Sequence, residues 1–225
     1  MTNLHKKAVV GLLRLLISMG TLVFVPERTL HYWRGWAFLG VFLGSALAIT
    51  VYLAKKDPKL LARRLNIGPS AEKVEGQRTI LALLVIVFAM VFVLSAIDHH
   101  FVWSTVPLYI VVLGDALVAA GFLCIFFVFK ENTYASAIIE VDANQKIIST
   151  GLYAFVRHPM YAGGVVMLTG IPRALGAWWG LLLVVLMALL IAWRLFTEEI
   201  FLAENLSGYV NYEKKVRHRL LPFIW

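Results

Sequence analysis

The placement of charges limits this chain more than anything else in its sequence. Residues 36–54, 80–97 and 174–193 carry none, residues 8–25 carry only Arg14, and residues 106–129 carry only Asp115. Each block is close to the roughly 20 apolar residues a helix needs to cross a hydrocarbon core. Ile, Val, Leu and Phe fill the blocks without the alternation of a strand. Lipid admits only helices or closed barrels, because every backbone polar group must be satisfied internally. The blocks therefore predict an all-α, polytopic integral membrane protein. Four spanning helices are followed by a C-terminal membrane helical hairpin and a cytoplasmic or interfacial tail helix. Composition agrees: 15% of residues are charged and the mean hydropathy is +0.80, against roughly 25% charged in a soluble domain. A water-soluble enzyme, a disordered tail and a nucleic-acid module are excluded, despite a formal charge of +8 and a pI near 9.7. The single cysteine, Cys124, excludes an internal disulfide framework and a multi-cysteine zinc site.

Basic residues orient the chain. The connection 55–79 carries Lys55, Lys56, Lys59, Arg63, Arg64, Lys73 and Arg78, whereas 26–35 offers Arg28 and Arg34 and 98–105 offers no Lys or Arg. This places the N-terminus, the 55–79 connection and the segment from Lys130 onward, including the C-terminus, in the cytoplasm. The surplus positive charge reads as topology and attraction to anionic lipid heads, with no nucleic acid among the partners. Near residue 25 no small-x-small cleavage site stands before Pro26, Glu27 and Arg28, so the first helix is expected to be retained.

The run 160–172 is shorter. As a helix it reaches about 20 Å, less than a roughly 30 Å core, and it is bounded by Pro159 and Pro172. With Gly176 able to turn the chain, 159–196 is expected to form a helical hairpin that leaves and returns on the cytoplasmic side. Gly163, Gly164 and Gly170 on its short arm would allow close packing on a neighbouring helix. From Thr197 the chain is charged but keeps Ile200, Phe201, Tyr209, Tyr212 and Trp225, as suits an interfacial helix. No internal repeat is visible. One membrane domain over 1–225 is expected, with N-terminal helices in 1–130 and a distinct core in 131–225.

No G-x-G-x-x-G, Walker A, H-E-x-x-H or G-x-S-x-G motif is present. Polar residues instead cluster at one level of the membrane: the stretch 145–161, and Arg194 with Glu198 and Glu199 where the last long block ends. Arg194 and Glu198, four apart, share a helix face. Singly, each has a plain explanation: Arg157 and His158 as surface anchors, Arg194 as a snorkelling side chain, Glu198 and Glu199 as a solvated turn, Tyr153 and Tyr161 as interfacial aromatics.

Together, Gly151-Leu-Tyr153, Arg157-His-Pro-Met-Tyr161-Ala-Gly163, the Arg194/Glu198/Glu199 spacing, Gly208-Tyr209-Val-Asn-Tyr212 and the closing Leu221-Pro-Phe-Ile resemble the isoprenylcysteine carboxyl methyltransferases and their prokaryotic relatives. The resemblance covers 145–225. It implies that 131–225 is a methyltransferase core that binds S-adenosylmethionine. The implied cofactor contacts are Gln145, Lys146, Ile147, Ile148, Tyr153, His158, Pro159, Met160, Tyr161 and Glu198; Arg194 is the implied substrate-facing arginine, and Arg194 and Glu198 the catalytic pair. Gln145 departs from the His often found there in eukaryotic members. Glu198 suits the cofactor's ammonium, His158 its carboxylate or ribose, Tyr153 or Tyr161 its sulfonium, and the backbone of 145–148 its adenine. A carboxylate acceptor would be ionised at pH 7 and need no general base, and Arg194 could grip it through a planar fork.

The implied function is methyl transfer from S-adenosylmethionine to a lipophilic acceptor that arrives from the bilayer, a carboxylate of isoprenylcysteine type. Alternatives are a phospholipid N-methyltransferase, a methyltransferase for small hydrophobic thiols and, more remotely, a sterol-type reductase or a transporter subunit. A transporter would be expected to show paired broken helices, and only one interrupted segment exists here. The intramembrane charges Arg14 and Asp115 are expected to pair across helices or, alternatively, to line the acceptor's tunnel. His99-His100 beside Asp98 offers too few ligands for a metal, and none is expected. Neither the acceptor atom nor the oligomeric state can be read from these residues.

Overall fold

Helix follows wherever a long run of Leu, Val, Ile, Phe and Ala leaves the backbone to satisfy itself, and breaks fall where Pro, Gly or a polar side chain offers an alternative. The structure, a computed structural model, describes residues 3–66, 68–72, 75–142, 145–222 and 225. Lys73 of the basic connection and Phe223-Ile224 of the closing motif lie outside the described residues.

Among those residues the chain forms α1 (Asn3–Glu27), α2 (Trp33–Lys56), α3 (Pro58–Leu65), α4 (Glu75–His100), α5 (Leu108–Glu131), a 3-10 turn (Gly151–Ala154), α6 (Pro159–Ala174), α7 (Gly180–Asn205) and α8 (Tyr209–Lys215). No strand occurs among them. Five of the helices, α1, α2, α4, α5 and α7, are long and apolar enough to cross a membrane. The protein is all-helical and polytopic. On α7 the core side carries Val184, Met187, Ile191 and Leu195, while Leu182, Val185, Leu189 and Trp193 stay exposed on the opposite side. That spacing of three and four is a helix with one face for protein and one for lipid.

α6 has 16 residues, about 24 Å, and packs chiefly on α5. The seam is built from glycines seven apart on both helices. A Cβ at Gly114 would lie 2.2 Å from Ala174 N; one at Gly121, 2.6 Å from Gly163 O; one at Gly170, 2.5 Å from Gly114 O. Larger side chains would force the two backbones apart, so the small residues set the contact distance. α7 lies against α4, and α4 in turn against α1.

The turn expected at Gly176 forms, with φ +72°, and the helix after it, α7, does not begin until Gly180. The reason is a remote cap. Asp98 at the end of α4 accepts from Trp178 N and Trp179 N at 3.0 and 3.1 Å, satisfying amides that α7 leaves open. Nor does α7 stop near Thr197. It continues to Asn205, because Glu198 and Glu199 find partners within the fold. The tail helix α8 is short and turns Tyr209 and Tyr212 inward, against Leu206, Val216 and Ile147.

Arg14 is exposed on α1, and no ion pair joins it to Asp115 among the described residues. Asp115 Oδ1 is buried without a hydrogen-bond partner. Their expected pairing is not formed, since α5 is flanked by α2 and α6 rather than by α1. His99 Nδ1 and His100 Nδ1 instead meet Glu27, at its carboxylate (3.0 Å) and its backbone carbonyl (2.8 Å).

Candidate functional site

At the end opposite Asp98, residues 132–140 and 145–148, the 3-10 turn, the start of α6, the end of α7 and the first turn of α8 enclose a cavity of about 840 Å³, its open mouth included. Gln145, Lys146, Ile147, Ile148, Tyr153, His158, Pro159, Met160, Tyr161 and Glu198 all line it. They reach it from three separate stretches, because the α6–α7 hairpin returns to the side it left.

Arg194 stands one layer behind. It is 3% exposed, and each of its nitrogens is engaged: Nε donates to Tyr161 Oη at 2.9 Å, Nη1 to Gln77 Oε1 at 3.2 Å, and Nη2 to Glu72 Oε2 at 3.1 Å. Tyr161 Oη donates onward to Glu198 Oε2 at 2.7 Å. The four-residue spacing of Arg194 and Glu198 is thus bridged by a tyrosine hydroxyl rather than closed as a direct pair. Glu198 Oε1 makes no hydrogen bond among the described residues.

Glu199, one residue on, faces the other way. Its carboxylate lies 3.1 Å from His158 Nε2, 2.8 Å from Arg157 Nε and 2.8 Å from Arg219 Nε. Arg157 also reaches Glu213 at 3.3 Å. The backbone repeats the link: Arg157 N and His158 N donate to His218 O and Arg219 O. This hub ties the start of α6, the end of α7 and the tail into one support. With Nε2 donating to Glu199, the other ring nitrogen of His158 is left for a ligand.

Other side chains shape the wall. Tyr153 Oη accepts from Asn132 Nδ2 at 2.8 Å, and Tyr212 Oη donates to Tyr153 O at 2.8 Å. Burial pushes the Tyr153 phenol up to about 12, partly offset by the Asn132 bond, so it is neutral at physiological pH. Burial likewise raises Tyr209 and Tyr212. Tyr209 Oη is buried with no hydrogen-bond partner, although its residue lines the cavity. Gln145 turns its side-chain oxygen to Asp142 N at 3.1 Å, which closes a turn.

Glu199, Glu72, Gln77, Arg219 and Tyr209 were not singled out by the sequence reading for roles at the site. Glu199 resembled a solvated residue at a helix end, and its partner Arg219 lies twenty residues on, beyond any local pattern. Tyr209 carried a signal within the Gly208-Tyr209-Val-Asn-Tyr212 motif, but one without an assigned contact.

Residues 109–208, from the start of α5 to the turn before α8, match the phospholipid methyltransferase family model. The match includes the ten cavity residues above, together with Arg194 and Glu199. It names a different family from the isoprenylcysteine carboxyl methyltransferases that the motifs resemble. No curated protein matches the chain.

Proposed function

We propose that this chain is an integral membrane methyltransferase that uses S-adenosylmethionine and acts on a lipophilic amphiphile. The observation that carries the reading is the convergence, in one cavity, of residues from three stretches of a segment matched by a methyltransferase family model.

The residues present fit that cofactor. Tyr209 brings a buried hydroxyl lacking a partner, which a ligand acceptor would satisfy. Glu198 offers an unbonded carboxylate oxygen that would hold an ammonium. His158 and the first-turn amides of α6, which no helical carbonyl satisfies, would hold a carboxylate. The backbone of 145–148 would read an adenine edge, and the rings of Tyr153 and Tyr161 suit a sulfonium, a contact worth about 0.5–2 kcal/mol. When bound, the cofactor supplies an electrophilic methyl group. The protein's contribution is then to align and to exclude water, which can supply roughly 7–11 kcal/mol through effective concentration. Arg194 acts as the positioning residue that fixes Tyr161 and, through it, Glu198.

For the acceptor, we place an amine of phospholipid type ahead of an isoprenylcysteine carboxylate. The carboxylate reading needs Arg194 to present an open fork, and that guanidinium is bonded to Tyr161, Gln77 and Glu72. An amine must release a proton on methylation, and Glu140 and Glu198 are the wall carboxylates able to take it. The charge distribution supports a cavity facing the cytoplasm.

The test is calorimetric titration of the full chain in detergent with S-adenosylmethionine. It is followed by incubation with methyl-labelled cofactor and phosphatidylethanolamine, N-acetyl-S-farnesylcysteine or dodecanethiol. Saturable binding that Glu198→Ala abolishes, with label passing to phosphatidylethanolamine, is the expected result. Absence of binding by the unaltered protein, or equal binding by Glu198→Ala, overturns the cofactor assignment.

A further inference from the structure

Arg157 lines the cavity, and Arg63, Arg64, Arg194 and Arg219 touch residues of its wall. Four of the five face a carboxylate, Arg63, Arg157, Arg194 and Arg219 lying 2.7–3.1 Å from one. Arg64, on α3, has no such partner among the described residues. Its Nη1 donates to the Ser136 backbone carbonyl at 2.9 Å and lies 3.7 Å from Met160 Sδ. Its guanidinium sits 5.0 Å over the Phe129 ring. Nε and Nη2 make no hydrogen bond among the described residues.

This leaves a half-buried cation with no oxyanion among the described residues to answer it. A neutral carbonyl, a thioether and a ring face return less than an oxyanion would, because an oxyanion adds opposite charge and can take two parallel N–H bonds from the fork. Burial lowers the guanidinium to about 10, so it stays charged at pH 7. Its location is equally specific. Ser136 and Met160 are both part of the cavity wall, and Met160 precedes Tyr161, the residue between Arg194 and Glu198. α3 itself is held by Leu60 and Leu61, 0% and 3% exposed, so the arginine is carried on an anchored helix.

We propose that Arg64 recognises the oxyanion of the methyl acceptor. Its free guanidinium edge takes the phosphate diester or carboxylate of a lipophilic molecule whose reactive head occupies the cavity. The inference rests on the methyltransferase reading and deepens it. It assigns acceptor selection to a residue outside the 109–208 segment that the family model matches. Neutral lipids of the same tail length would be discriminated against because they leave the cation unanswered.

The experiment uses the full chain in dodecyl maltoside, with tryptophan fluorescence as the readout. Dioctanoylphosphatidylethanolamine is compared with dioctanoylglycerol, and N-acetyl-S-farnesylcysteine with its methyl ester; S-adenosylhomocysteine is titrated in parallel. Two probes carry an oxyanion, the phosphodiester of zwitterionic phosphatidylethanolamine and the carboxylate of farnesylcysteine, and are called anionic in that sense. The unaltered protein is expected to bind one of them about tenfold more tightly than the counterpart that lacks the oxyanion. Which probe it prefers separates a phosphate from a carboxylate acceptor. Arg64→Gln should lose that preference while its affinity for S-adenosylhomocysteine is unchanged, and Arg64→Lys should recover part of it. Should Arg64→Gln not fold, phenylglyoxal labelling of Arg64 in the unaltered protein decides: protection by the preferred anionic probe and not by its neutral counterpart supports the proposal. Equal binding of anionic and neutral probes, an unaltered preference in Arg64→Gln, or labelling that no anionic probe slows overturns it. Failure of S-adenosylhomocysteine to bind the unaltered protein overturns the methyltransferase reading itself, a separable result.

Discussion

The two ends of the bundle both bury charge, and they use it differently. At the end holding Asp98, 0% exposed, and Glu27, 4% exposed, carboxylates serve the backbone and side chains around the interhelical turns. Asp98 caps α7 and takes a hydrogen bond from Ser104 at 2.7 Å, while Glu27 holds His99. The hollow at that end is lined by Leu94, Trp103 and Trp179 and offers only apolar walls and two indoles. At the cavity end carboxylates answer guanidinium groups, and the polar atoms left over line a space. Glu27 Oε2 and Asp98 Oδ1 are also without partners, so an unpaired buried atom does not by itself mark a site. What distinguishes the cavity is that chemically varied side chains from distant stretches point into one volume.

The contrast can be broken by removing the centre of each end. Glu199→Ala should have the largest effect, leaving Arg157, His158 and Arg219 without their shared anion. Breaking a buried pair costs about 3–5 kcal/mol, and both melting temperature and S-adenosylmethionine binding should fall. Stability loss without loss of binding would show that the hub and the cavity are independent. Asp98→Ala should cost about 1–3 kcal/mol through the lost cap and hydrogen bonds, seen as a lower melting temperature, with cofactor affinity unchanged. A matching loss of affinity would mean that the two ends are coupled through α4 and α7.

Tyr209→Phe sharpens the comparison. Its hydroxyl has no partner in the fold, so removing it should leave stability equal or slightly higher. Calorimetry should show S-adenosylmethionine affinity falling by about 1 kcal/mol. If affinity does not move, the orphaned hydroxyl is like those at the other end. The smallest effect is on pH dependence. The folded state holds the Tyr153 phenol near 12, above the unfolded value of about 10. Its contribution is therefore complete below pH 10 and lost as pH rises from there toward 12. Melting temperatures of Tyr153→Phe should decline less steeply across that window than those of the unaltered protein.

The spanning helices were legible because a bilayer requires uninterrupted apolar length, and charge placement reports that directly. The ten cavity residues were named from motif resemblance, and the structure gathers them into one volume. Less legible was what each side chain faces. The Arg194 and Glu198 spacing gave a shared face but could not disclose Tyr161 between them. Glu199 could not be told from a solvated neighbour, because its three cations come from two other segments. The turn at Gly176 was legible from its glycine, but its cap by Asp98 was not, since hydropathy does not register a turn capped from another helix. The Arg14 and Asp115 pairing failed for a similar reason: hydropathy places residues at a depth, not beside a neighbour.

The glycine seam has a consequence for where reactants meet. Cys124 Sγ lies 3.4 Å from Pro159 O, yet α5 continues to Glu131, about 10 Å further. The start of α6 therefore sits in a recess below the rim formed by its longer neighbour. Under the proposed function, an acceptor with hydrocarbon tails would present its head there while the tails stay among those of the surrounding leaflet. Lifting them into water would cost about 0.8 kcal/mol per methylene, and a floor set this low makes that extraction unnecessary.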